Sequence, residues 1–180
     1  MSLIFGKNTP DEVVIQLLVN ADDNSFGDLC SRSELKPFCS GNNKLSERMY
    51  HERAIRQFSD LVQFKSAELT WKQFYDRVHV LVSINIETVE DAIHLANIYA
   101  KLPNSLMELN MIYSIYHVLP TTSGANHAAE NGDMTTLLWL EQFGVRPDRE
   151  GVNLAKRNGH EHILTYLANF GLRPTARRLF

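Results

Sequence analysis

The chain has 180 residues, 44% apolar and 22% charged, with a formal net charge of −3. That is the balance of an ordinary globular protein of one domain, or two small ones sharing a core, and it excludes disorder over most of the length. Nucleic-acid binding is disfavoured too, because the one cationic group is Arg173, Arg177 and Arg178 near the end.

No cationic stretch leading into an apolar one opens the chain, which argues against a secretory leader. The strongest apolar run, 13–19, is broken by Gln16 and falls far short of the roughly 20 residues of a membrane helix. Thr9-Pro10-Asp11-Glu12 reads as a helix start, with Thr9 as cap, Pro10 in the first helical position and Glu12 completing a capping box. Val13, Val14, Leu17 and Leu18 then form the expected apolar stripe. Short helical pieces come next at 26–30 and 34–39, then a longer basic helix at 45–58. Cys30 and Cys39 match no zinc pairing and build no disulfide framework, so they are expected to be reduced thiols of a cytosolic or nuclear protein. Thr70 opens a capped helix with Trp71, Phe74, Tyr75, Val78, Leu81 and Val82 on one side.

This order of helix, polar break, short helices and longer basic helix resembles an F-box, and the 70–75 segment resembles the stretch just after the F-box in giant-virus proteins. Thr9-Pro10 stands where that motif has Leu-Pro, and Met49-Tyr50 where it has an aromatic pair. The resemblance implies docking onto the Skp-type adaptor of a cullin ubiquitin ligase through Pro10, Val13, Leu17, Leu18 and Leu29. The alternative is that these apolar residues pack the N-terminal helices on the array that follows.

Residues 88–102 read as an amphipathic helix through Val89, Ala92, Ile93, Ala96 and Tyr99. Ser105-x-x-Glu108 reads as a capping box before Leu109, Ile112, Tyr113 and Tyr116. The strongest signal comes next. Laying 121–147 over 148–174 without gaps gives 11 identities in 27 positions, among them Gly124/Gly151, Asn126/Asn153, Asn131/Asn158, Gly132/Gly159, Phe143/Phe170 and Pro147/Pro174. Each unit predicts a short helix, an Asn-Gly turn, a longer helix carrying Leu137 and Leu140, a glycine stop and a proline. A degenerate copy covers 94–120, where Asn104-Ser105 and Tyr116 to Pro120 hold the matching places.

Asn126-His127-Ala128-Ala129-Glu130-Asn131-Gly132, answered by Asn158-Gly159-His160, resembles the shortened ankyrin-like repeats of giant DNA virus proteins of the Marseillevirus type. The Thr-Pro-Leu-His turn is missing and the period is 27 rather than about 33. The expected fold is therefore all-α: an F-box-like helical region, 1–83, followed by a short ankyrin-like solenoid, 84–180, in which Leu179 and Phe180 cap the last unit. A repeat of this kind implies binding through loop tips and short helices, here His127, Glu130, Arg146, Asp148, Arg149, Glu150, Lys156 and Arg157.

No GxGxxG, P-loop, GxSxG or HExxH is present, and the histidines share no ligand spacing. His160 and His162, two apart, are expected to point away from each other, with His160 bonding its turn. The expected protein is thus no enzyme, and no cofactor or metal is expected. It is a protein-binding module of the host cytoplasm or nucleus, recruiting a host protein to a ubiquitin ligase. The alternative is a structural protein that forms a homodimer through its repeats.

Overall fold

The structure is a computed structural model and describes residues 9–175. Arg177, Arg178, Leu179 and Phe180, and with them the expected cap, lie outside the described residues. The fold is all-α, with eleven α-helices, two 3-10 turns and no strand among the described residues. None of these helices is long and apolar enough to cross a membrane. Contacts divide the chain into two compact units, Met1–Ile84 and Asn85–Phe180.

The first unit begins with α1 (Asp11–Asn20), where the expected capping box does not form. Pro10 takes the cap position, and no side chain caps the helix. The buried stripe is Val14, Ile15, Leu18 and Val19, one position away from the expected one, and Val13 is 54% exposed. Helix α2 (Asp23–Cys30) is capped by Asp22, and a 3-10 turn at Ser33–Leu35 leads into α3 (Lys36–Cys39). Helix α4 (Lys44–Phe58) carries a capping box between Asn43 and Ser46, and α5 (Trp71–Val82) one between Thr70 and Gln73. Packing centres on α4, which meets α1, α3 and α5 and turns Met49, Tyr50, Arg53 and Ala54 inward. From α4 the Glu47 carboxylate also accepts the Trp71 N–H, so it serves the start of α5.

The expected reduced thiols are wrong. Cys30 and Cys39 are joined in a disulfide, with their Cα atoms 5.7 Å apart. Each ends a short helix, and the turn between α2 and α3 folds those ends together, within the reach of a cross-link. Spacing along the chain carries no such information.

The second unit contains α6 (Val89–Lys101), α7 (Leu106–Tyr116), α8 (Thr122–Glu130), α9 (Met134–Glu141), α10 (Arg149–Arg157) and α11 (Glu161–Ala168). Both ends of α10 and α11 lie 27 residues after those of α8 and α9. Helix α8 packs between α6 and α10. Ala125, Ala128, Ala129, Val152 and Ala155 are fully buried there, and their small size lets the backbones approach. Leu109, Leu137, Leu140, Ile163 and Leu167 complete the core from the outer helices, and the buried indole N–H of Trp139 donates to Asn110 Oδ1 at 3.0 Å. The left-handed backbone also recurs, at His117, Gly144 and Gly171, each 27 residues after the last. His117 takes with a side chain the conformation that glycine takes more easily.

One expected cap fails here as well. Ser105 does not cap α7; its hydroxyl donates to the Leu102 carbonyl at 2.8 Å and to that of Tyr99.

Three asparagines fasten each inner helix to the stretch of chain that comes after its unit. Asn97 Oδ1 accepts the Thr121 N–H at 2.9 Å. Asn126 Oδ1 accepts the N–H groups of Asp148 and Gly151 at 3.0 and 3.2 Å, while its Nδ2 donates to the Asp148 carboxylate. Asn153 repeats the pattern with the N–H and hydroxyl of Thr175. The approach leaves no room for a Cβ, which at Gly124 would lie 2.6 Å from Asn97 Oδ1 and at Gly151 would overlap Asn126 Oδ1.

Asn126→Ala leaves two backbone N–H groups without their partner and should cost about 2–3 kcal/mol in chemical denaturation, against about 1 kcal/mol for Asn153→Ala at the exposed end. Gly151→Ala should cost about 2 kcal/mol or more through overpacking, although alanine is the better helix former.

Candidate functional site

The candidate residues of the second unit separate into two groups. Arg149, Glu150 and Arg157 line an open cleft on one face of α10, together with Asn153 and Leu154. Lys156 is exposed but does not line it. The others make contacts of their own within the unit while staying partly or fully exposed. The Asp148 carboxylate caps α10 by accepting the Glu150 N–H at 2.8 Å while holding Asn126. His127 and Glu130 face each other at 3.1 Å, each about a third exposed (32% and 30%). Arg146 donates to Glu141 at 3.4 Å and its guanidinium lies 4.2 Å over the Phe170 ring. The Tyr166 hydroxyl donates to the same Glu141 carboxylate; burial, then that carboxylate, push its pKa up to about 12. Arg146 therefore links Glu141 of α9 to Phe170, just after α11, with its side chain 46% exposed.

His160 and His162 do not diverge as expected. Their ring centroids are 5.9 Å apart, because His160 stands at the cap of α11 rather than within its turns. Their Nε2–H groups donate to the Glu130 and Gly132 carbonyls, and Asn158 Nδ2 donates to Glu130 as well. These side chains join consecutive turns.

In the first unit an open groove runs between α1 and α2. Val13, Gln16, Leu17 and Asn20 line one side, and Asp22, Ser25, Asp28, Leu29 and Arg32 the other. Of the expected contact residues, Leu18 is corrected: it is fully buried and is part of the core. Leu29 is only 8% exposed and forms the floor, while Pro10 is exposed but lies outside the groove. Val13 and Leu17 are the apolar surface that remains. Asp22 is held below the usual carboxylate range by the Ser25 N–H and then the Ser25 hydroxyl.

Beneath this groove lies a residue that the sequence did not single out. Arg53 on α4 is fully buried. Its Nε donates to the Tyr75 hydroxyl, Nη1 to the Leu18 and Ala21 carbonyls at 2.7 and 2.8 Å, and Nη2 to Asp23 at 2.7 Å. Its guanidinium is 4.0 Å from the Phe26 ring centre. One cation thus closes the C-terminal end of α1, the start of α2 and the face of α5. Desolvation raises the pKa of Asp23, but hydrogen bonds from His79, Gln57 and Arg53 outweigh it, and the net shift is downward.

No family model, curated protein or solved structure matches the chain.

Replacing Arg53 with Met keeps the volume but removes every one of these bonds, and should cost about 3 kcal/mol in urea denaturation. Because the folded pKa of Asp23 is depressed, its contribution is present above the unfolded value of about 3.9 and is lost as pH falls through the folded one. Wild type should therefore lose more stability than Asp23→Asn between pH 5 and 3. The excess should stay under about 1 kcal/mol, since the carboxylate is half exposed.

Proposed function

We propose that the protein is a protein–protein interaction module, an ankyrin-like repeat stack joined to an F-box-like unit that recruits a host protein to a cullin ubiquitin ligase. The observation that carries this reading is the recurring asparagine fastening between α6, α8 and α10. A scaffold that repeats one helix pair keeps its internal residues constant and leaves recognition to the surface residues between them. On α10 those residues are Arg149, Glu150, Leu154 and Arg157, and the two arginines are the side chains best suited to anchor a partner. In the F-box-like unit, Val13 and Leu17 above Leu29 supply an apolar strip with an acidic rim for a Skp-type adaptor. The proposed site of action is the host cytoplasm or nucleus, but the cysteines no longer argue for it, since disulfides are uncommon in those compartments.

A second reading, a self-associating structural protein, draws on Ile98, Leu102 and Leu138, which are 44, 46 and 46% exposed.

Titrating the full chain with a purified Skp-type adaptor tests the first reading. Binding should weaken at least tenfold in Leu17→Asp while Arg149→Ala and Arg157→Ala leave it unchanged. Failure of the wild-type components to associate removes the ubiquitin-ligase assignment. Light scattering that shows a monomer at micromolar concentration removes the homodimer.

A further inference from the structure

The two ends of α2 are held by different means. At its start, Asp22 caps the helix, Asp23 pairs with the buried Arg53 at 2.7 Å, and Phe26 packs under the Arg53 guanidinium and edge-on to Tyr50. At its end, Leu29 is seated in the core and Cys30 is bonded to Cys39. The hydrogen bonds there are local: Ser31 N–H to the Gly27 carbonyl, Arg32 N–H to that of Leu29 and the Ser31 hydroxyl to that of Asp28.

Between the two ends sits Gly27. A Cβ at this position would meet nothing within 4 Å, and its φ is not positive. Neither space nor backbone conformation demands a glycine there. Its effect is to weaken a helix of eight residues, already too short to stand without tertiary support. Both cysteines are half-buried, in contrast to the sealed Leu35 and Phe38 between them, so the bond is open to a small thiol.

We propose that Cys30–Cys39 is a thiol–disulfide exchange site whose oxidation state sets whether the last turn of α2 is fixed or open. The proposal rests on the placement of the bond and does not depend on what the groove binds. A monothiol of the glutathione class attacks one sulfur as its thiolate, forms a mixed disulfide and releases the other cysteine. A second monothiol, again as its thiolate, then attacks the sulfur of the first and releases the remaining cysteine. Two electrons and two protons end on Cys30 and Cys39, and the reductant leaves as its own disulfide. With the cross-link gone, α2 unwinds from Gly27 onward. Asp28, Leu29 and Arg32, which line the α1–α2 groove, move with it. Opening stays local because Leu35 and Phe38 hold the α3 corner in the core, and the Tyr50 hydroxyl donates to the Cys39 carbonyl at 3.2 Å.

The test equilibrates the full chain in glutathione buffers of graded ratio, counts thiols by alkylation and mass, and follows amide exchange. The expected result is reversible interconversion of the two forms. Exchange in 27–33 should rise about tenfold or more on reduction, and exchange in 44–58 should not change. Gly27→Ala should cut that rise several-fold, and Cys30→Ser/Cys39→Ser should match reduced wild type in every buffer. A bond that resists excess glutathione in the folded protein, or reduction with no change in exchange, overturns the proposal. So does exchange that rises throughout residues 11–82 on reduction, or a double serine variant that fails to fold, since the bond would then be a plain structural staple.

Discussion

A side-chain amide buried between two helices must find partners for both its ends, and that need fixes where the second helix can lie. Asn126 is 5% exposed and has one arrangement that satisfies it: its oxygen on two N–H groups of α10's first turn, its nitrogen on the carboxylate that caps the same turn. Sliding α10 by one residue would leave these groups unpaired away from water, a loss that the thin apolar packing of such a small-residue interface could not offset. Glycine at 151 follows from that placement, because a Cβ there would overlap the amide oxygen and press on Pro147. The alanines between α8 and α10 set how close the helices come, and the asparagine sets their register.

The first unit solves the same problem with a charge. Arg53 is fully buried, and it joins three helices beside the packed rings of Phe26, Tyr50 and Tyr75. A fully buried guanidinium is tolerated because its donors are met by backbone carbonyls, a phenol and one carboxylate. Because Asp23 is partly open to solvent, the network connects the interior of the unit to the surface beside the α1–α2 groove. The groove's shape therefore depends on polar contacts at one end and on a covalent bond at the other.

These two solutions left different traces in the sequence. An amide fastening demands one residue type at one place, so it appears as identity: Asn126 with Asn153, Gly124 with Gly151. The earlier unit uses the same device with Asn97, but 29 residues before Asn126, so a gapless 27-residue overlay passes it by. The face of α1 could not be read, since 13–15 and 17–19 are apolar and several stripes fit them equally well. Packing chose Ile15 and Val19 over Val13 and Leu17. Arg53 was illegible because an arginine in a charged helix reads as surface, and nothing local reveals the carbonyls waiting for it. The cysteine pair was missed for a related reason: the turn that brings Cys30 to Cys39 carries no strong signal of its own. Candidate surface residues were legible as types but not as duties: Asp148 also caps α10 and holds Asn126, and Arg146 also meets Glu141 and Phe170.

The most direct test of the account is the hydrogen exchange of the Asp148 and Gly151 backbone amides, resolved residue by residue. Both belong to the first turn of a helix, where amides lack intrahelical partners and ordinarily exchange within the time of loop opening. If Asn126 fastens the stack, these two should exchange as slowly as core amides such as that of Leu140, and both should lose protection together in Asn126→Ala. Exchange at the rate of exposed loop amides in the wild-type protein would contradict the fastening and the repeat architecture built on it.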